Sequence, residues 1–163
     1  MKMSEILLVD DEKNIVSQWR QALRPLGHHV SAFLSAAEAL AACDEQQFDL
    51  VIVDFLMPEM TGVELINAIR KKIPTIRSIL ISGKLDKKMD ENAVKSVMQD
   101  RVDVDVYLKK PVENEDLRSA VTALLSSGEV DWVDWAEKGK AARRTTDRAA
   151  KEASADLKKH LKK

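Results

Sequence analysis

With 163 residues, 45% of them hydrophobic and 33% charged, the chain can bury one good core but hardly two. The formal net charge of -1 gives no global reason to bind nucleic acid or a membrane; residues 1 to 127 hold 16 basic and 20 acidic side chains, and residues 128 to 163 hold 10 and 7, a mildly basic tail on an acidic body. Cys43 is the only cysteine, which excludes an intrachain disulfide and a cysteine-rich zinc site. Met1 to Glu5 lack the apolar stretch of a signal peptide and no segment reaches the roughly 20 apolar residues of a membrane span, so the expected compartment is the cytoplasm.

In chain order, Ile6 to Val9 form an apolar run that ends at Asp10 and Asp11. Ile15, Val16, Trp19, Ala22, Leu23 and Leu26 then recur at helical spacing, with Gly27 as a stop. His28 and His29 read as solvated turn residues before a short strand over Val30 to Phe33. Ser35 is placed to cap a helix carrying Ala36, Ala39, Leu40 and Cys43, where the cysteine packs as a small apolar residue. Leu50 to Val53 form a second apolar run that ends at Asp54. A loop with Met57, Pro58, Met60 and Gly62 leads to a helix over Val63, Leu65, Ile66 and Ile69, and Pro74 lies just beyond it. Ser78 to Ile81 are a fourth strand, ending at Ser82 and Gly83.

Residues 84 to 103 carry only a weak helical face. Val104, Val106 and Leu108 alternate with Asp105 and Tyr107, which predicts a fifth strand at a sheet edge or beside a solvated face. Asn114 is placed to cap a helix through Leu117, Val121, Leu124 and Leu125 that Gly128 would end. Strands and helices alternating five times predict an α/β fold, a doubly wound parallel sheet. Beyond Gly128, Trp132 and Trp135 precede a stretch rich in helix formers. An α/β body over 1–127 and a helical extension over 128–163 are the expected units. The extension suits dimerisation or partner binding through Trp132 and Trp135.

If the two acid-bearing runs are neighbouring parallel strands, Asp10, Asp11 and Asp54 meet at the C-terminal edge of the sheet, where open α/β sheets place ligands. Three carboxylates there repel one another unless a hard cation offsets them, and Mg²⁺ is the natural candidate.

Asp10-Asp11, the run from Val53 through Asp54, Met57-Pro58 and Gly62, Ser82 after a strand, and Tyr107-Leu108-Lys109-Lys110-Pro111 together resemble the receiver domain of bacterial two-component response regulators. The resemblance covers residues 4 to about 127 and implies a flavodoxin-like five-stranded sheet of order 2-1-3-4-5. It also implies that Asp54 accepts a phosphoryl group from a sensor histidine kinase or phosphotransfer protein. Asp11, Asp54 and the backbone carbonyl of Leu56 would hold Mg²⁺ directly, and Asp10 mainly through water. Lys110 would supply a positive charge and Ser82 a hydroxyl to the phosphoryl oxygens. The Lys110-Pro111 bond is expected to be cis, and Tyr107 to act with Ser82 as the switch that alters the surface around the fifth strand for a downstream protein partner.

Several features depart from the family pattern. The segment between Ser82 and Tyr107 is long, and Val102-Asp103-Val104 replace the usual Gly-Ala before the fifth strand. Leu56 and Lys84 occupy positions that in the family tune phosphoryl lifetime. Leu56 also argues against a dehalogenase-like phosphatase, which needs an acid two residues after its nucleophile, so no separate enzyme activity is expected. The tail is too short for a helix-turn-helix module with its support, which argues against nucleic-acid binding through the basic tail. That reading, a homodimer formed through the extension, and a receiver forming the N-terminal part of a larger effector stand as alternatives.

Overall fold

The computed structural model describes residues 3–82 and 104–126. Five strands, β1 (Glu5–Val9), β2 (His29–Phe33), β3 (Leu50–Asp54), β4 (Arg77–Ser82) and β5 (Val106–Lys109), form one sheet of order β2-β1-β3-β4-β5. Every pairing is parallel. Four α-helices are described, α1 (Lys13–Leu23), α2 (Ala36–Glu45), α3 (Gly62–Lys72) and α4 (Asn114–Ser126). None of them is long and apolar enough to cross a membrane.

The continuous apolar runs of β1 and β3 follow from burial on both faces. Successive side chains point to opposite sides of the sheet, so each run feeds two cores. Ile6, Leu8, Leu50, Ile52, Ile79, Ile81, Val106 and Leu108 pack under α1 and α4. Leu7, Val9, Val51, Val53 and Leu80 pack under α2 and α3. At about 1.5–3 kcal/mol for each fully buried large aliphatic side chain, these two layers dominate the cohesion of the fold.

Local signals set the element ends. Ser35 caps α2 by accepting from the Glu38 N–H at 3.2 Å, as its position predicts. Thr61 and Glu64 form a reciprocal capping box on α3. The helix α1 stops at Leu23, earlier than its periodicity predicts, and a 3-10 turn over Arg24–Leu26 follows. Pro25 is the cause, since it has no N–H to continue the ladder. Gly27 closes the turn at φ 76, a left-handed conformation that glycine adopts freely. Asn114 is the first residue of α4 rather than its cap, and the Leu117 N–H bonds the Glu113 carbonyl at 3.1 Å.

Two polar readings need correction. His29 opens β2 and pairs with Glu5 at 2.8 Å, and the His28 Nδ1 accepts the Ser4 N–H at 3.1 Å. The fifth strand lies at the edge of the sheet, as expected, but Asp105 just before it does not face solvent and is only 1% exposed. The chain bends there before β5 begins, and the Ser78 N–H donates to the Asp105 carboxylate at 2.9 Å while Arg70 lies 3.4 Å away. Burial pushes the Asp105 carboxyl upward against those bonds and the charges of Arg70 and Arg77. The expected helix over 84–103, the stop at Gly128 and the extension over 128–163 lie outside the described residues.

Candidate functional site

The parallel register brings β1 and β3 side by side, with Val9 opposite Val53. Asp54 is therefore the last residue of β3, and Asp10 and Asp11 follow β1 at the same edge. One carboxylate oxygen from each of the three acids lies within 4.8 Å of the other two. Asp10 is fully buried, Asp54 is 6% exposed and Asp11 faces solvent. The Glu12 N–H donates to Asp10 Oδ1 at 2.8 Å, which orients that carboxylate at the entry to α1. Its other oxygen, Oδ2, is buried without a hydrogen-bond partner.

Lys110 arrives from the opposite side. It follows β5, the Lys110-Pro111 bond is cis, and its Nζ lies 3.0 Å from Asp54 Oδ1 and 3.6 Å from Asp10 Oδ2. One ammonium thus contacts two of the three carboxylates. Burial pushes the Asp10 carboxyl up to about 6, helped by the charge of Asp54 and opposed by the Glu12 N–H and Lys110. Burial also raises Asp54, against the hydrogen bond and charge of Lys110 and the N–H of Leu56. Burial alone would lower Lys110, but the bond to Asp54 and the charges of both acids outweigh it and raise the amine.

This donor set fits a hard divalent cation. It offers carboxylate oxygens only, in excess of the local positive charge, and one of them is a buried acceptor with no hydrogen bond. Leu56 lies two residues past Asp54 with its side chain 41% exposed. Ser82 ends β4 in register with Lys109, and Tyr107 sits on β5 opposite Leu80, half-buried against the core beneath α2 and α3. Asp10, Asp11, Asp54 and Lys110 are therefore brought together, and Ser82 and Tyr107 lie on the two strands that border the site.

The site roles of two residues escaped the sequence reading. Gly62 approaches β3 so closely that a Cβ there would lie 2.5 Å from the Asp54 carbonyl oxygen and 2.8 Å from Leu80 Cδ1. The Gly62 N–H also donates to the Phe55 carbonyl at 2.8 Å. Trp19, read only as a core residue of α1, lies under Lys110, with the ammonium 5.5 Å from its ring centroid. The first had a readable trace in the Pro58-to-Gly62 loop before a helix. The second depends on tertiary proximity alone.

Known proteins carry the same arrangement of elements. The chain is 32% identical over 124 residues to the alginate biosynthesis transcriptional regulatory protein AlgB of Pseudomonas aeruginosa, a match spanning 76% of this chain and 26% of that protein. It is 26% identical over 126 residues to the alkaline phosphatase synthesis transcriptional regulatory protein PhoP of Bacillus subtilis, spanning 77% of this chain and 50% of that one. The chain thus covers about a quarter to a half of the length of these relatives. A solved CheY-like response regulator receiver domain from Methanospirillum hungatei superposes with a TM-score of 0.66 at 30% identity, covering 78% of this chain and 97% of its own. With the model of the response regulator receiver domain matching residues 6–122, across every described strand and most of α4, the chain belongs to the response regulator receiver family of two-component signalling.

Proposed function

We propose that the chain is a phosphorylation-controlled switch whose acceptor is Asp54. The observation that carries this reading is the convergence of three carboxylates on one sheet edge, with Lys110 Nζ 3.0 Å from Asp54. A carboxylate oxygen of Asp54 attacks the phosphorus of a phosphohistidine on a sensor kinase or phosphotransfer protein. The bond from phosphorus to the imidazole nitrogen breaks, leaving an acyl phosphate on Asp54. Lys110 meets the charge of the transferred group, and the Ser82 hydroxyl donates to one of its oxygens. Asp11, Asp54 and the Leu56 carbonyl would hold Mg²⁺ directly, with Asp10 acting mainly through water. When bound, the ion supplies positive charge that offsets the incoming phosphoryl group.

Tyr107 and Ser82 form the switch. Their strands are neighbours, so a hydroxyl drawn toward the phosphoryl group at the end of β4 frees space beside β5 and alters the surface offered to a downstream protein. The reading assigns residues 1–127 to the receiver and 128–163 to an extension that contacts a partner or a second copy, in a cytoplasmic protein without a separate enzyme activity. A second reading, the receiver part of a larger effector, draws support from AlgB and PhoP, regulators of transcription of which this chain matches only a part. Incubation with acetyl phosphate and Mg²⁺ tests the first. Intact-mass measurement is expected to show one added phosphoryl group, absent in Asp54→Ala; modification that persists in that variant overturns the assignment.

A further inference from the structure

A lysine is a poor choice for a fixed charge, because a compact ammonium on a flexible four-carbon stem samples many rotamers. Lys110 is a quarter exposed, so its stem is largely packed while the ammonium still has to be aimed by what surrounds it. Two acids attract it, Asp54 at 3.0 Å and Asp10 at 3.6 Å, and a rotamer that favours one weakens the other. The ammonium also lies over the ring of Trp19, 5.5 Å from its centroid.

Trp19 is rigid. It is 4% exposed on α1 and packed in the cluster that includes Val16, Leu23 and Leu117, with Val112 from the Lys110 loop against the same cluster. A leucine would serve burial at this position, but only an aromatic face attracts a cation, and tryptophan does so best. The core therefore presents a fixed electron-rich surface within reach of the amine that contacts Asp54.

We infer that Trp19 is a positioning residue for Lys110, its ring face holding the ammonium in the rotamer that reaches Asp54 and the incoming phosphoryl group. This rests on the reading of Lys110 as the counter-charge in phosphoryl transfer. Packing inside the protein thereby sets the rate of a step at its surface. The effect belongs to the ring's face, so phenylalanine keeps it and leucine loses it.

The test uses the full chain, acetyl phosphate with Mg²⁺, and the rate of phosphoryl addition to Asp54. Trp19→Leu is expected to slow the reaction about three- to tenfold, the range a partly desolvated cation–π contact covers, and Trp19→Phe to stay within about twofold. On a Lys110→Met background, Trp19→Leu is expected to add nothing further. Equal rates for the Leu and Phe variants, or an equal cost on both backgrounds, overturn the inference and leave Trp19 a core residue only. A second measurement needs neither phosphoryl transfer nor a Leu variant that folds. With Trp132→Phe and Trp135→Phe, Trp19 is the sole tryptophan, and its emission is expected to differ between Lys110 and Lys110→Met; identical spectra overturn the contact. If that emission responds while the parent chain accepts no phosphoryl group, the contact stands and the proposed function falls.

Discussion

Asp10 is the residue at which the conflict between burial and charge is sharpest. Its carboxyl is raised from the ordinary 3.8 to about 6 because folding removes it from water, with the charge of Asp54 adding to the effect. A folded-state value above the unfolded one contributes stability that is fully present below about 4 and is lost as the pH rises through about 6. A cation that needs the ionised form must expel the proton, so Mg²⁺ binding strengthens as the pH rises and levels off above 6. Affinity is expected to be about tenfold weaker at pH 5 than at pH 7.5, one pH unit below the midpoint leaving roughly a tenth of the group ionised. Calorimetric titration at the two values checks this, with proton release greatest on the acid side. A flat affinity across that range would remove Asp10 from the cation site.

At the scale of the element, the entry to α3 separates helix stability from acceptor geometry. Thr61→Ala removes one half of the capping box and is expected to cost about 1 kcal/mol while leaving phosphoryl acceptance near that of the parent chain. Gly62→Ala drives a Cβ to 2.5 Å from the Asp54 carbonyl oxygen, a backbone atom that cannot move without shifting Asp54, the proposed acceptor. Overpacking there is expected to cost about 1–3 kcal/mol and also to slow phosphorylation. Urea melts and acetyl phosphate rates on both variants check the pair. A Gly62→Ala chain phosphorylated at the parent rate would show that the close approach does not position Asp54.

The same elements explain what the sequence made legible. Buried parallel strands read as unbroken apolar runs, so β1 and β3 stand out and their terminal acids locate the site. Thr61 and Glu64 carried a signal that went unread, a threonine three residues before a glutamate at the start of an apolar helix. Alternation around Asp105 misled, because a period of two marks opposite faces without saying which is dry. The partners that make its burial tolerable, Ser78 and Arg70, are remote in sequence. Trp19 and Lys110 meet only because α1 and the loop after β5 pack on the same side of the sheet, a relation that no local pattern encodes.

For the molecule as a whole, the edge that carries Asp54 also adjoins an edge strand of the sheet. Among the described residues β5 pairs with β4 alone, and it carries Tyr107 just before Lys109 and Lys110. In the proposed switch, a charge placed on Asp54 acts on groups at the periphery, where a small change in side-chain packing alters what the surface can bind. A homodimer formed through residues 128–163 would use such a change to link phosphorylation to assembly. Light scattering after size exclusion, with Mg²⁺ and beryllofluoride as a mimic of the phosphoryl group, is expected to report a rise from monomer to dimer mass that Asp54→Ala abolishes. A constant mass despite demonstrable binding of the mimic would move the output to a partner contact on the receiver surface. A dimer present with and without the mimic, and retained in Asp54→Ala, would separate assembly from the phosphorylation site altogether.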